Sequence, residues 1–157
     1  MELHGTTPEA RLEELGLTLP PPPAAAAAYR PWAAAGQLVF TAGQLPVVDG
    51  RLPATGKVGA EVTLAEAEKL ARQAAVNVLA QGRDAAGDLA RLRVVKLTVF
   101  VASTPDFTDQ HLVANGASEL LAAVLGEDGR HARSAVGVPV LPLDSPVEVE
   151  AVLEVRG

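Results

Sequence analysis

Cysteine is absent from the chain. Disulfides, iron–sulfur clusters, thiolate zinc sites and cysteine nucleophiles are therefore excluded at the outset. No cluster of lysine and arginine interrupts a formal net charge of −6. Nucleic-acid binders carry a basic patch or stripe, so no nucleic-acid partner is expected. The longest apolar runs are of strand length, far short of a membrane span. The opening "MELHGTTPEARLEEL" is polar and acidic, unlike a secretory leader, which makes a soluble cytoplasmic protein the expectation. None of the three histidines, His4, His111 and His131, pairs with another at metal-ligand spacing, so no metal site is expected. A phosphate loop and a GxGxxG fingerprint are both missing, and nucleotide cofactors lose their support. The hydroxyls have no histidine and carboxylate near them in sequence to make a triad.

What remains is apolar and aliphatic. Aromatic residues make up 3% of the chain while hydrophobic residues make up 48%, so Ala, Val and Leu carry the core. At 157 residues the length suits one ordinary domain. Val-rich runs favour strands and Ala-rich runs favour helices, which points to a mixed α/β class.

"TTPEARLEELG" predicts a short helix with Thr7 as cap, Pro8 at the first helical position and Gly16 at its end. The run from Leu19 to Tyr29 is proline- and alanine-rich and reads as an extended spacer. Residues 1–28 are accordingly assigned to an N-terminal arm and 29–157 to the main domain. "GQLVFTAGQLPVVDGRLPA" predicts a hairpin, with a strand over Leu38 to Thr41 and a turn at Asp49-Gly50. Gly43 interrupts an apolar strand, which marks a bulge or a close approach to the backbone. "TLAEAEKLARQAAVNVLAQGRDAAG" is the strongest helix, with Thr63 and Glu66 matching a capping box and Gly87 a stop. A buried strand ending near Ala102 follows, then a helix with its start signal at Thr104-Pro105, then two strands joined by "PLDS". Two helices on one face of a four- or five-stranded mixed sheet would bury both apolar stripes.

The last segment, "GRHARSAVGVPVLPLDSPVEVEAVLEV", carries the candidate chemistry. Alternation places Val147, Val149, Ala151, Leu153 and Val155 on one face of a strand, with Glu148, Glu150 and Glu154 on the other. Arg133 stands at the mouth of the preceding strand. Two readings of it stay open from the pattern. One is a surface ion pair worth about 0–1 kcal/mol. The other is a guanidinium fork in a small cleft, gripping a carboxylate beside a glutamate that orients or deprotonates water.

The same segments resemble a known family. "GQLVFTAGQLP", "ARQAAVNVLA", "VVKLTVFVASTPDF", "ARSAVGV" and "VEVEAVLEV" follow one another in the order and spacing of the YjgF-like, or Rid (reactive intermediate deaminase), proteins. The resemblance runs from about Tyr29 to Arg156. It implies an α+β, chorismate-mutase-like fold, with a mixed β-sheet, two helices on one face, and a homotrimer around a central barrel. It implies hydrolysis of enamines and imines of the 2-aminoacrylate type to 2-keto acids and ammonia, without a cofactor. Residue by residue, Arg133 matches the arginine that holds the substrate carboxylate, and Glu148 the glutamate of the reacting water. Tyr29 and Gly43 match the pocket walls, and Asn115 an asparagine of the helix before the arginine. The partners so implied are a small carboxylate-bearing substrate and further copies of the chain. A module that binds small carboxylates without turning them over is the alternative. A ribonuclease activity attached to some relatives ranks below both, because the chain is acidic.

Overall fold

The computed structural model describes residues 3–24 and 27–157. Residues 1, 2, 25 and 26 of the assigned arm lie outside the described residues. The elements run α1 (Pro8–Glu14), β1 (Trp32–Ala35), β2 (Leu38–Thr41), α2 (Leu64–Ala86), β3 (Leu92–Ala102), α3 (Gln110–Leu125), β4 (Ala132–Val138) and β5 (Val147–Val155).

The five strands form one sheet in the order β1-β2-β5-β3-β4. Every pairing is antiparallel except β3–β4, which is parallel and bridged by α3. The mixed sheet agrees with the expectation. The hairpin does not pair as the turn signal suggested. β2 pairs back onto β1 through Gly36-Gln37, whose glycine adopts φ +61°. Asp49 and Gly50 do make a left-handed turn, at φ 52° and 77°, but it closes only the Val48–Arg51 bridge. A two-residue turn fixes local chain reversal; the stretch after it is too short of apolar residues to add a strand. The last two strands are likewise not neighbours, since β3 lies between β5 and β4.

Both long helices cover one face of the sheet. α2 begins at a complete capping box: Thr63 accepts from the Glu66 N–H at 3.2 Å, and Glu66 accepts from the Thr63 N–H at 2.9 Å. It ends at Gly87 in the left-handed region, φ 80°. α3 starts at Gln110, later than the Thr104-Pro105 signal. Thr104 and Phe107 close a separate turn (Phe107 N–H to the Thr104 carbonyl, 3.1 Å), which delays the helix by about a turn.

The core lies between helices and sheet. Leu97, Val99 and Val101 of β3 and Val147, Val149 and Leu153 of β5 are fully or almost fully buried against Ala74, Val78, Leu121 and Val124. The arm joins it: Leu12 of α1 and Leu19 beyond its end are in the same cluster, and Arg11 donates to the Val124 carbonyl at 2.9 Å. The helix pair is close because Gly116 of α3 presses on the backbone of α2. A Cβ at Gly116 would overlap the Glu68 carbonyl. Gly116→Ala must push the helices apart, and overpacking of this kind costs about 1–3 kcal/mol. Urea denaturation is the check: the midpoint of the variant should fall with an unchanged slope.

Candidate functional site

Arg133 occupies the second position of β4, opposite Leu97 of β3. Leu97 faces the helices, so Arg133 does too, and its guanidinium reaches α3. Nη1 donates to Asn115 Oδ1 at 2.9 Å and to Ser118 Oγ at 3.2 Å, while Nη2 donates to the His111 carbonyl at 3.1 Å. The guanidinium forms no ion pair among the described residues. The Nε–H and one Nη2–H keep no partner among the described residues, which leaves donors free for an anion. Asn115 and Arg133, singled out separately in the sequence, are thus directly bonded.

Glu148 sits elsewhere. It lies opposite Phe100, on the sheet face away from the helices, with β3 between it and β4. Its carboxylate occupies the space beside Gly43 where a side chain would stand, so a larger residue there would have to displace it. The carboxyl is half-buried, and burial first, then the neighbouring Glu150 charge, raises its pKa above the ordinary glutamate value. A carboxylate poised this way suits proton transfer nearer neutrality than an exposed glutamate does.

Tyr29 and Gly43 share a cleft of about 550 Å³ between the N-terminal arm and the segment after β2. Tyr29 is 54% exposed at its edge, and Pro20 and Pro23 of the arm form one wall. The candidate residues of one chain therefore fall into two groups. Arg133 and Asn115 stand on the helix side of β4; Tyr29, Gly43 and Glu148 gather near the start of β5.

α2 presents amides at i, i+4 and i+8, namely Gln73, Asn77 and Gln81; Gln73 donates to Asn77 Oδ1 at 3.4 Å, and Asn77 lines the cleft. Asn77 is fully buried and donates to the Leu45 and Val47 carbonyls at 2.9 and 3.2 Å. Gln81, also fully buried, donates to the Pro23 carbonyl at 2.7 Å, pinning the arm to the cleft. The signal was available: a polar stripe at helical spacing inside an otherwise apolar face. In sequence no hydroxyl has both a histidine and a carboxylate beside it for a triad. The fold brings a histidine to one hydroxyl, with His131 Nε2 2.9 Å from Ser118 Oγ. No three His, Asp or Glu side chains come together as metal ligands among the described residues. No described helix is long and apolar enough to cross a membrane.

The antiparallel-dominated sheet, its single parallel pair and the two helices on one side define a chorismate-mutase-like α+β fold. Residues 9–155 match the family described as "YjgF/chorismate_mutase-like, putative endoribonuclease". The chain belongs to this YjgF/Rid family. It is 47% identical over 149 residues to Protein TCP17 of Trypanosoma cruzi, covering 94% of this chain and 93% of that protein. Among solved structures it resembles Atu1372 of Agrobacterium tumefaciens, a protein of unknown function, at 50% identity. The TM-score is 0.89, with 95% and 92% of the two chains covered. TdcF of E. coli, solved with bound serine, is 28% identical with a TM-score of 0.64, covering 87% of this chain and 94% of that one.

Asn77→Ala strips the buried donor from two carbonyls at the cleft. Unsatisfied buried acceptors cost about 1–3 kcal/mol. Thermal unfolding should show a lowered midpoint, and exchange of the amides over residues 45–51 should quicken.

Proposed function

We propose that the protein hydrolyses small enamines and imines of 2-amino acids to 2-keto acids and ammonia. The observation that carries this reading is Arg133, a guanidinium held by three bonds to α3 with donors left over and no acidic partner. A guanidinium so placed suits a carboxylate ligand. Glu148 supplies the second function: its raised pKa and half-buried position suit a base that orients water toward an imine carbon. Attack on that carbon gives a carbinolamine, and collapse expels ammonia. TdcF, whose structure holds serine, is a relative with a small amino acid bound, which supports the substrate class.

Arg133 and Glu148 lie on opposite faces of one sheet, so the reaction calls for a second copy to bring Glu148 to Arg133. A homotrimer, with clefts between subunits, is the assembly proposed. The face carrying Glu148 supports it: Phe40 is 46% and Val136 42% exposed there, an apolar surface that a neighbour would cover. Light scattering should report three copies per particle.

The alternative is a carboxylate-binding module without turnover. It is favoured by the separation of Arg133 from Glu148 within one chain, since binding needs Arg133 alone. A ribonuclease role, carried by the family's description, has the acidic charge of this chain against it.

The test generates 2-aminoacrylate in place with a pyridoxal-phosphate dehydratase and times its decay. Arg133→Ala should reduce the protein's acceleration to background. Glu148→Gln should keep carboxylate binding and lose most of the acceleration; equal loss of binding would favour another role for Glu148. The base must be ionised, so kcat/KM should fall as pH drops through the raised Glu148 pKa. The acid limb should therefore lie above the pH expected of an exposed glutamate, and vanish in the Gln variant.

A further inference from the structure

We propose that Ser118 and His131 form a directed hydrogen-bond chain running from Arg133 to the Gly129 carbonyl, which couples the guanidinium's hold on an anion to the protonation of His131. This rests on the reading of Arg133 as the carboxylate holder. Three contacts on α3, β4 and the turn at Gly126–Gly129 carry it. Arg133 Nη1 lies 3.2 Å from Ser118 Oγ, Ser118 Oγ 2.9 Å from His131 Nε2, and His131 Nδ1 2.6 Å from the Gly129 carbonyl.

The proton positions follow from what each group can do. A guanidinium only donates, so Ser118 Oγ accepts from Arg133. A carbonyl only accepts, so His131 Nδ1 carries a proton. In the neutral ring Nε2 is then an acceptor, and the Ser118 hydroxyl donates to it. Every donor in the chain Arg133, Ser118, His131, Gly129 points the same way.

Protonating His131 turns Nε2 into a donor. Ser118 Oγ has two lone pairs and accepts from both cations, so the brace on Arg133 survives while a second positive charge appears behind it. Without an anion that charge is unfavourable. Burial first lowers the His131 pKa, the hydrogen bond to the Gly129 carbonyl raises it by less, and the Arg133 charge adds a smaller lowering of its own. Arg133 is the charge acting on the ring. From α3 the facing side chains are the neutral Ser118 and Asn115, and His111 meets Arg133 only through its carbonyl. In the turn, Glu127 pairs with Arg130 and Asp128 with Arg156. On β3, Lys96 donates to Ser134.

A carboxylate on the free donors of Arg133 offsets the repulsion, so binding raises the His131 pKa. By linkage the same anion binds more tightly as pH falls through that pKa.

The test is imidazole nitrogen NMR on the intact protein, with His131→Gln assigning the resonances and a backbone spectrum verifying each fold. In the free protein His131 should be the Nδ1–H tautomer, with a midpoint below that of an ordinary histidine. Arg133→Gln should shift it upward. An Nε2–H tautomer, or equal midpoints in wild type and Arg133→Gln, would overturn the hydrogen-bond chain. Pyruvate should raise the midpoint in the wild type only, and should bind several-fold more tightly below it than above; His131→Gln should flatten that dependence. Should pyruvate move no resonance while the Arg133→Gln shift holds, the carboxylate reading fails and the hydrogen-bond chain in the free protein stands.

Discussion

The alternation along β5 is the constraint on which the remaining architecture depends. Val147, Val149, Ala151 and Leu153 must be dry, and they bury themselves under α2 and α3. The intervening Glu148, Glu150 and Glu154 are thereby forced onto the opposite face. β5 pairs on both edges, with β2 and with β3, so its register is held from two sides. A slip of one residue would put three carboxylates into the core, at a cost no single contact could offset. The same register opposes Phe100 to Glu148 and, one strand further, Leu97 to Arg133. The side that each functional group occupies is thus decided by packing, before any chemistry is asked of it.

Placement of polar groups inside the helix layer follows a second rule. Buried amides are tolerable only when their hydrogen bonds are made. Asn77 meets this by holding two loop carbonyls, and Gln81 by holding the Pro23 carbonyl, though Gln81 Oε1 is left without a protein partner. These amides tie the chain before and after β1–β2 to α2, so the cleft between arm and loop inherits the rigidity of the longest helix.

Much of this was legible in the sequence because it is local. The Thr63–Glu66 capping box, the stop at Gly87, the strand at Leu38–Thr41 and the face assignment of β5 each depend on residues a few positions apart, and each agrees with the fold. The pairing of β2 was misjudged because Asp49-Gly50 carries a strong turn preference that says nothing about what lies beyond it. Gly36, with positive φ but no asparagine or aspartate beside it, gave a weaker signal for the turn that matters. Of the site residues, Arg133 and Glu148 could be singled out one by one, yet their separation across the sheet could not: it depends on β3 inserting between the last two strands. The Ser118–His131 pair was invisible for the same reason, being thirteen residues apart and joined only when β4 returns alongside α3.

The brace on Arg133 has a consequence for energetics of recognition. A long cationic side chain ordinarily surrenders rotamer freedom when it seizes a ligand, at about 0.5–1.5 kcal/mol. Here Asn115, Ser118 and the His111 carbonyl have already withdrawn that freedom in the empty protein. The ordering penalty is met during folding and not at capture. Preorganisation of this kind lets a ligand with only a handful of heavy atoms be held by a few contacts.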